Sequence, residues 1–213
     1  GDWKYGPARY IENYNDDLIC IQQNKLSLAG VGKDILETAR DASFVSVSRN
    51  VVGAFKYYSG DYGVDNHPES VLIVDGDVFF ADASRRKVLK FNPQSGGISP
   101  ISDKGLANLF DSYFEDLEDA TGVKKVVSGF DPKTDTYYIT LHAKGDSGHT
   151  DRTVGYDMKI DRWMSKYTFT PDIYLHQNRL MYSALNKPSF DAIFYRHDDN
   201  DAQDNRCKFY TAA

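Results

Sequence analysis

The sequence predicts an all-β protein of the propeller type, made of four-stranded antiparallel meanders in about three to four blade-like units, with one inserted amphipathic helix. Three observations predict it. A nine-residue cassette occurs twice, as GFDPKTDTY (Gly129 to Tyr137) and as GYDMKIDRW (Gly155 to Trp163), and both copies fit G-[FY]-D-x-K-x-D-x-[YW]. In each copy two aspartates and a lysine join an aromatic that ends one apolar run to an aromatic that opens the next, which is turn chemistry between strands. Aromatic residues make up 14% of the chain, as suits pleated, half-buried surfaces. The acids are mostly Asp, which favours turns and is depleted in strand interiors, whereas Glu is the better helix former.

Residues 1–16 mix aromatics with Gly, Pro and Asn and read as an N-terminal arm or incoming linker, leaving residues 17–213 as the propeller-like domain. Asp17 to Ile21 and Lys25 to Leu28 are short strand candidates. Ser43 to Ser48 alternates with the period expected of a half-buried strand. Tyr57 to Ser70 reads as a long loop. VLIVDGDVFFAD and KVLKF then supply strands, with a hairpin signal at Asp75-Gly76. From about 103 to 119, Leu106, Leu109, Phe110, Tyr113, Phe114 and Leu117 recur at helical spacing, with Ser102 or Asp103 to cap the start and Gly122 to end it. Its other face is acidic, so it is expected to lie on a sheet and not on a membrane surface.

From residue 124 the meander is explicit, as KKVVSGF, TYYITLH, RTVGY and RWMSKYTF. Because strands alternate in direction, the two cassettes leave the same end of such a sheet. RLMYSAL, AIFYRHD and CKFYT follow, and the unit recurs at roughly 40 to 50 residues, a propeller-blade period.

The ordered series VDGDVFFAD (Val74 to Asp82), ISDKGLANLF (Ile101 to Phe110), GFDPKTDTYYITL (Gly129 to Leu141), GYDMKIDRWMS with FTPD (Phe169 to Asp172), RLMYSALN and IFYRHD resembles the β-propeller tail proteins of short-tailed bacteriophages, called nozzle proteins, and muzzle proteins in the crAss-like phages. The resemblance covers about Val71 to Tyr210. It implies a virion structural subunit, made in the host bacterial cytoplasm, that forms a homo-oligomeric ring at the distal end of the tail beside adjacent tail proteins. Genomic DNA would pass through it without sequence-specific binding, and no cofactor is implied. Members of that family are usually far longer than this chain, which would then be a share of a larger propeller.

The acid surplus, 31 Asp+Glu against 25 Lys+Arg, gives no general attraction for nucleic acid or anionic membranes. No apolar stretch approaches the roughly 20 residues of a membrane span, and GDWKYGPARY lacks the core of a signal peptide. The chain has no initiating Met, as expected of a processed product or a piece of a longer polypeptide. Cys20 and Cys207 form no disulfide framework and are expected free and reduced.

Little catalytic chemistry is legible. AGVGKD (Ala29 to Asp34) suggests a phosphate loop but carries Ser27 where the upstream Gly belongs and Asp34 where Ser or Thr should bind magnesium, so a plain turn is expected. His142 and His149, with Asp146 or Asp151, are a surface metal candidate. Asp199, Asp201 and Asp204 in HDDNDAQDN offer hard oxygen ligands to calcium but lack the loop glycine and distal Glu, so a solvated hairpin tip is expected. A glycosidase would need two converging carboxylates, and no pair stands out. A glycan-binding tail module is the alternative reading, with Trp3, Tyr57, Tyr58 and Trp163 as stacking platforms. The expectation for Trp163 is packing between blades. The residues that the pattern singles out are therefore structural: Gly129, Phe130, Asp131, Asp135, Tyr137, Gly155, Tyr156, Asp157, Asp161 and Trp163.

Overall fold

A computed structural model describes residues 2–37, 43–143, 150–186, 192–197 and 207–210. They form four antiparallel sheets of four strands, each in simple chain order. The first holds β1 (Ala8–Tyr14), β2 (Asp17–Gln22), β3 (Leu26–Glu37) and β4 (Ser43–Tyr57); the second holds β5 (Leu72–Val74), β6 (Asp77–Asp82), β7 (Lys87–Asn92) and β8 (Gly97–Pro100). Then come a 3-10 turn (Ile101–Asp103) and α1 (Ala107–Asp119). The third sheet holds β9 (Lys124–Asp131), β10 (Thr136–Ala143), β11 (Arg152–Asp157) and β12 (Arg162–Tyr167); the fourth holds β13 (Ile173–Gln177), β14 (Leu180–Asn186), β15 (Ala192–His197) and β16 (Cys207–Tyr210). These are propeller-like blade units.

The sheets pack in chain order. Ile19, Ile21, Leu26 and Leu28 of the first meet Val78, Phe80, Leu89 and Phe91 of the second in one core. The opposite face of the second sheet, with Phe79, Ala81 and Val88, meets α1 and the third sheet in another. Strand alternation makes this possible, since successive residues of β6 feed the two cores in turn. The buried carboxylate of Asp82 ties the first junction, its Oδ2 accepting the Gly63 N–H and its Oδ1 the Arg85 N–H, each at 3.0 Å. β13 then packs on β9 of the third sheet.

Several expectations change. β1 lies within the segment read as an arm and pairs along its length with β2, so only the first few residues precede the sheet. β8 and β13 were equally unmarked in the sequence. All three are outer strands of their sheets. AGVGKD is no turn but the middle of β3, where the ladder to β4 slips at Val31 and Gly32 takes φ 66; the glycine relieves a bulge. Beyond Gly30, where pairing with β2 ends, β3 and β4 continue as a two-stranded ribbon. The helix starts at Ala107, not near 103, because Gly105 at φ 84 interrupts the helical backbone. Ser102 and Asp103 belong to the 3-10 turn instead of capping, and Ala120 closes the helix in place of Gly122. Its apolar stripe is as expected: Phe110, Tyr113, Phe114 and Leu117 are buried.

Candidate functional site

The two cassettes fold alike. Asp131 ends β9, where its Oδ1 accepts the Lys133 N–H at 2.9 Å and its Oδ2 the Thr134 hydroxyl at 2.8 Å. Asp157 ends β11, where its Oδ1 accepts the Lys159 N–H at 2.9 Å and the Ile160 N–H at 3.2 Å. A carboxylate that takes the N–H two residues on holds the chain in an Asx turn. The later aspartate has another task. Asp135 and Asp161 sit at φ 52 and φ 57, the left-handed region that Asp tolerates better than most residues. The two turns touch: the Met158 N–H donates to the Asp135 carbonyl at 3.0 Å, and Lys159 Nζ lies 2.6 Å from Asp135 Oδ2. Both therefore leave the same end of the sheet.

The cassette glycines do not lie in the turns. Gly129 in β9 and Gly155 in β11 flank Tyr138 of β10 from either side. Neither takes a positive φ. What they provide is room: a Cβ on Gly129 would stand 2.3 Å from Tyr174 Cγ, and one on Gly155 would stand 2.7 Å from the ring of Tyr167. Into that room the rings gather, with Tyr138 at 5.0 Å from Tyr167, 5.5 Å from Phe169 and 6.4 Å from Tyr174 between centroids. Tyr174 comes from the fourth sheet, and its hydroxyl meets that of Thr140 at 2.6 Å. Burial pushes its phenol above the ordinary range. The segment that carries the chain across is tied down by its carbonyls: Phe169 accepts from Thr153 Oγ1 at 2.6 Å, Pro171 from His142 Nε2 at 2.9 Å and Asp172 from Lys125 Nζ at 3.1 Å.

Three of the cassette aromatics, Tyr137, Tyr156 and Trp163, serve the opposite junction. Tyr137 stacks on Phe79 of the second sheet at 4.7 Å and its hydroxyl bonds Ser128 Oγ at 2.8 Å. Trp163 donates its indole N–H to the Ile101 carbonyl at 2.8 Å, with its ring 4.6 Å from Phe110 and 5.1 Å from Tyr156. Its direct partners include the 3-10 turn and α1, the connector between the second and third sheets, and it packs against the core that those two sheets share. The Tyr156 hydroxyl donates to Asp161, which also pairs with Lys104. That lysine, then the tyrosine, holds the Asp161 carboxyl below its ordinary range. Phe130 meets the edge of His176 at 5.9 Å.

The other candidates fare differently. Both ring nitrogens of buried His142 are engaged, Nε2 by Pro171 and Nδ1 by Asp151 at 3.1 Å, so it is a structural tie and not a surface metal ligand. His149, Asp146, Asp199, Asp201 and Asp204 lie outside the described residues. Among the described residues no cluster of three or more His, Cys, Asp or Glu is arranged to hold a metal ion. Cys20 is a buried free thiol. The sequence reading missed Tyr138, Tyr167 and Tyr174, whose partners lie on distant strands. The signal that marks them is the pair of in-strand glycines opposite one tyrosine.

Blade-like sheets stacked through aromatic seams, with paired turns at one end, define a β scaffold of the propeller type. The chain belongs to the crassvirus muzzle protein family, whose model, described as Crassvirus muzzle protein, matches residues 2–187. It is a structural component of the phage virion, in the tail. No curated protein matches the chain. No described helix is long and apolar enough to cross a membrane.

Proposed function

We propose that copies of this chain surround the path by which DNA leaves the particle, forming part of a ring-shaped muzzle joined to adjacent tail proteins. The observation that carries the reading is the family match over residues 2–187. The fold supports it, since stacked sheets with buried aromatic seams make a stiff wall. The net charge of -6 suits a passage as well, because a negative lining repels the duplex and keeps it from adhering. The work is done by shape and self-association, without catalysis or a cofactor. Residues 17–213, with β1 added, act as one blade-bearing unit of that wall.

Labelling intact particles with antibody against this chain tests the reading, with label expected at the distal tip of the tail; label on the capsid or on lateral fibres overturns it. Assembled protein is expected to retain no duplex DNA at low salt, and retention there would show a basic lining. The glycan-binding alternative gains nothing from Trp163, whose ring is packed by Phe110 and Tyr156. Trp3 and Tyr57 are its remaining platforms, and oligosaccharide binding by a persistent monomer would favour it.

A further inference from the structure

A cleft of about 380 Å³ opens where four pieces of chain meet: the connector between the first and second sheets, the turn from β6 to β7, the later part of α1 and the start of β9. Because β9 runs from here to the first cassette turn, the cleft lies at the end of the third sheet opposite the cassettes. Its volume falls within the roughly 300–1,000 Å³ of small-molecule sites. Phe114 and Leu117 of α1 line it with apolar surface. The polar lining comes mainly from the connector, where Asp65, Asn66 and His67 follow one another, with Glu118 and Lys124 beside them. His67 marks the cleft as a site. It is 8% exposed, the surface it keeps lines the cleft, and its ring nitrogens have no hydrogen-bond partner among the described residues. Buried polar groups are nearly always partnered, so the imidazole points to a ligand. The groups around it are held in place with bonding capacity to spare. Asp65 Oδ2 accepts the Ser84 hydroxyl at 2.9 Å, Asn66 Oδ1 accepts from Arg9 at 2.9 Å and Glu118 Oε2 accepts from Arg86 at 3.0 Å. Asp65 Oδ1, Glu118 Oε1 and the Asn66 amide NH2 stay open.

We propose that this cleft binds a sugar ring, its C–H face against Phe114 and Leu117 and its hydroxyls toward Asp65, Asn66, His67 and Glu118. The site goes beyond the ring reading and stands without it. Charge selects the ligand class. The Asp65 and Glu118 carboxylates are set against Lys124, whose Nζ donates to the Glu118 carbonyl, and against Arg86 on the Glu118 side chain, so a bare anion and a bare cation each meet charge of their own sign. Burial holds the His67 imidazole below its ordinary range, and the neutral ring offers one nitrogen to donate and one to accept. Hydroxyls suit this lining, because each can donate to a carboxylate oxygen and accept from an amide or imidazole N–H. A wholly apolar ligand would leave the same groups dry and unpaired. The cleft is also separate from Trp3 and Tyr57, the stacking platforms that remain on the N-terminal segment and the first sheet.

The test is saturation-transfer difference nuclear magnetic resonance of the full chain, which reads the ligand and so works for monomer and assembly alike. The probes are the methyl glycosides of glucose, galactose, mannose, fucose and N-acetylglucosamine, with acetate and methylguanidinium as charged controls. At least one glycoside is expected to receive saturable transfer, weakened about tenfold by His67→Leu, the size of one lost hydrogen bond in a buried site, and several-fold by Asn66→Ala and Glu118→Gln. Trp3→Ala is expected to change nothing. Should His67→Leu lose its native circular dichroism, Asn66→Ala and Glu118→Gln, both at exposed positions, carry the test. A trisaccharide ending in the bound sugar separates the sources: binding as tight as the glycoside assigns a glycan end, its exclusion a free sugar, and either upholds the site. No transfer to any glycoside overturns the inference. So does transfer that survives the cleft variants and is lost in Trp3→Ala, which places the sugar on the N-terminal segment. Transfer to acetate or methylguanidinium alone, abolished by the cleft variants, overturns it too, since the cleft then seats a charged side chain of a partner.

Discussion

The ring of Tyr174 occupies the space a side chain would need at Gly129: a Cβ there would meet Tyr174 Cγ at 2.3 Å. One residue belongs to the third sheet and the other to the fourth, so a missing side chain in the first is the seat of the second. The ring has no room to yield, because its hydroxyl is held by Thr140 and Phe169 and Tyr138 lie against it. Gly129→Ala is therefore expected to cost about 1–3 kcal/mol by overpacking. Thermal denaturation measures it, and Tyr174→Ala in the same chain is expected to absorb part of that cost, since residues in contact are not additive.

The two Asx turns offer a paired comparison. Asp131 is buried and holds both a backbone N–H and the Thr134 hydroxyl, whereas Asp157 holds two backbone N–H groups at a half-exposed position. Asp131→Ala loses a hydroxyl tie as well as a turn N–H at a buried carboxylate, so it is expected to lose about 2 kcal/mol and Asp157→Ala about 1 kcal/mol. Urea titration of the two variants ranks them, and equal losses would deny Asp131 its extra role.

Trp163 links the third sheet to the connector through one hydrogen bond to Ile101. Trp163→Phe keeps most of the ring contact with Phe110 and deletes the donor. The expected loss is about 1 kcal/mol. Hydrogen exchange is expected to quicken in residues 101–119 while the amides of β9 and β10 stay protected.

His67 supplies the pH dependence. It is buried at the entry to a 3-10 turn (Pro68–Ser70), and burial depresses its imidazole below the usual value against the opposing pull of Asp65 and Glu69. The fold then binds fewer protons than the unfolded chain, so the stability linked to this group is present above the unfolded value near 6.5 and is lost as pH falls below it. His67→Gln is expected to flatten the decline in melting temperature between about pH 7.5 and 5.5. An unchanged slope would assign the decline to other groups.

Much of this arrangement is legible in the sequence because it is local. Asp131, Asp135, Asp157 and Asp161 declare turns through their own backbone preferences, and the stripe from Phe110 to Leu117 declares a helix through its period. The strands β1, β8 and β13 are not legible, since their residues carry no clear apolar alternation of their own. Nor is the purpose of Gly129 and Gly155, which sit among turn signals yet answer to Tyr174 and Tyr167, residues on other strands. The exposed apolar face of the fourth sheet appears only when the register sets Ile173, Ala184 and Phe194 in line.

A reconstruction of the whole particle bears most directly on the account. It is expected to show this chain as stacked four-stranded sheets in a closed ring around the tail axis at its distal end. Density for the chain away from the axis, or on the axis as isolated copies, would contradict it.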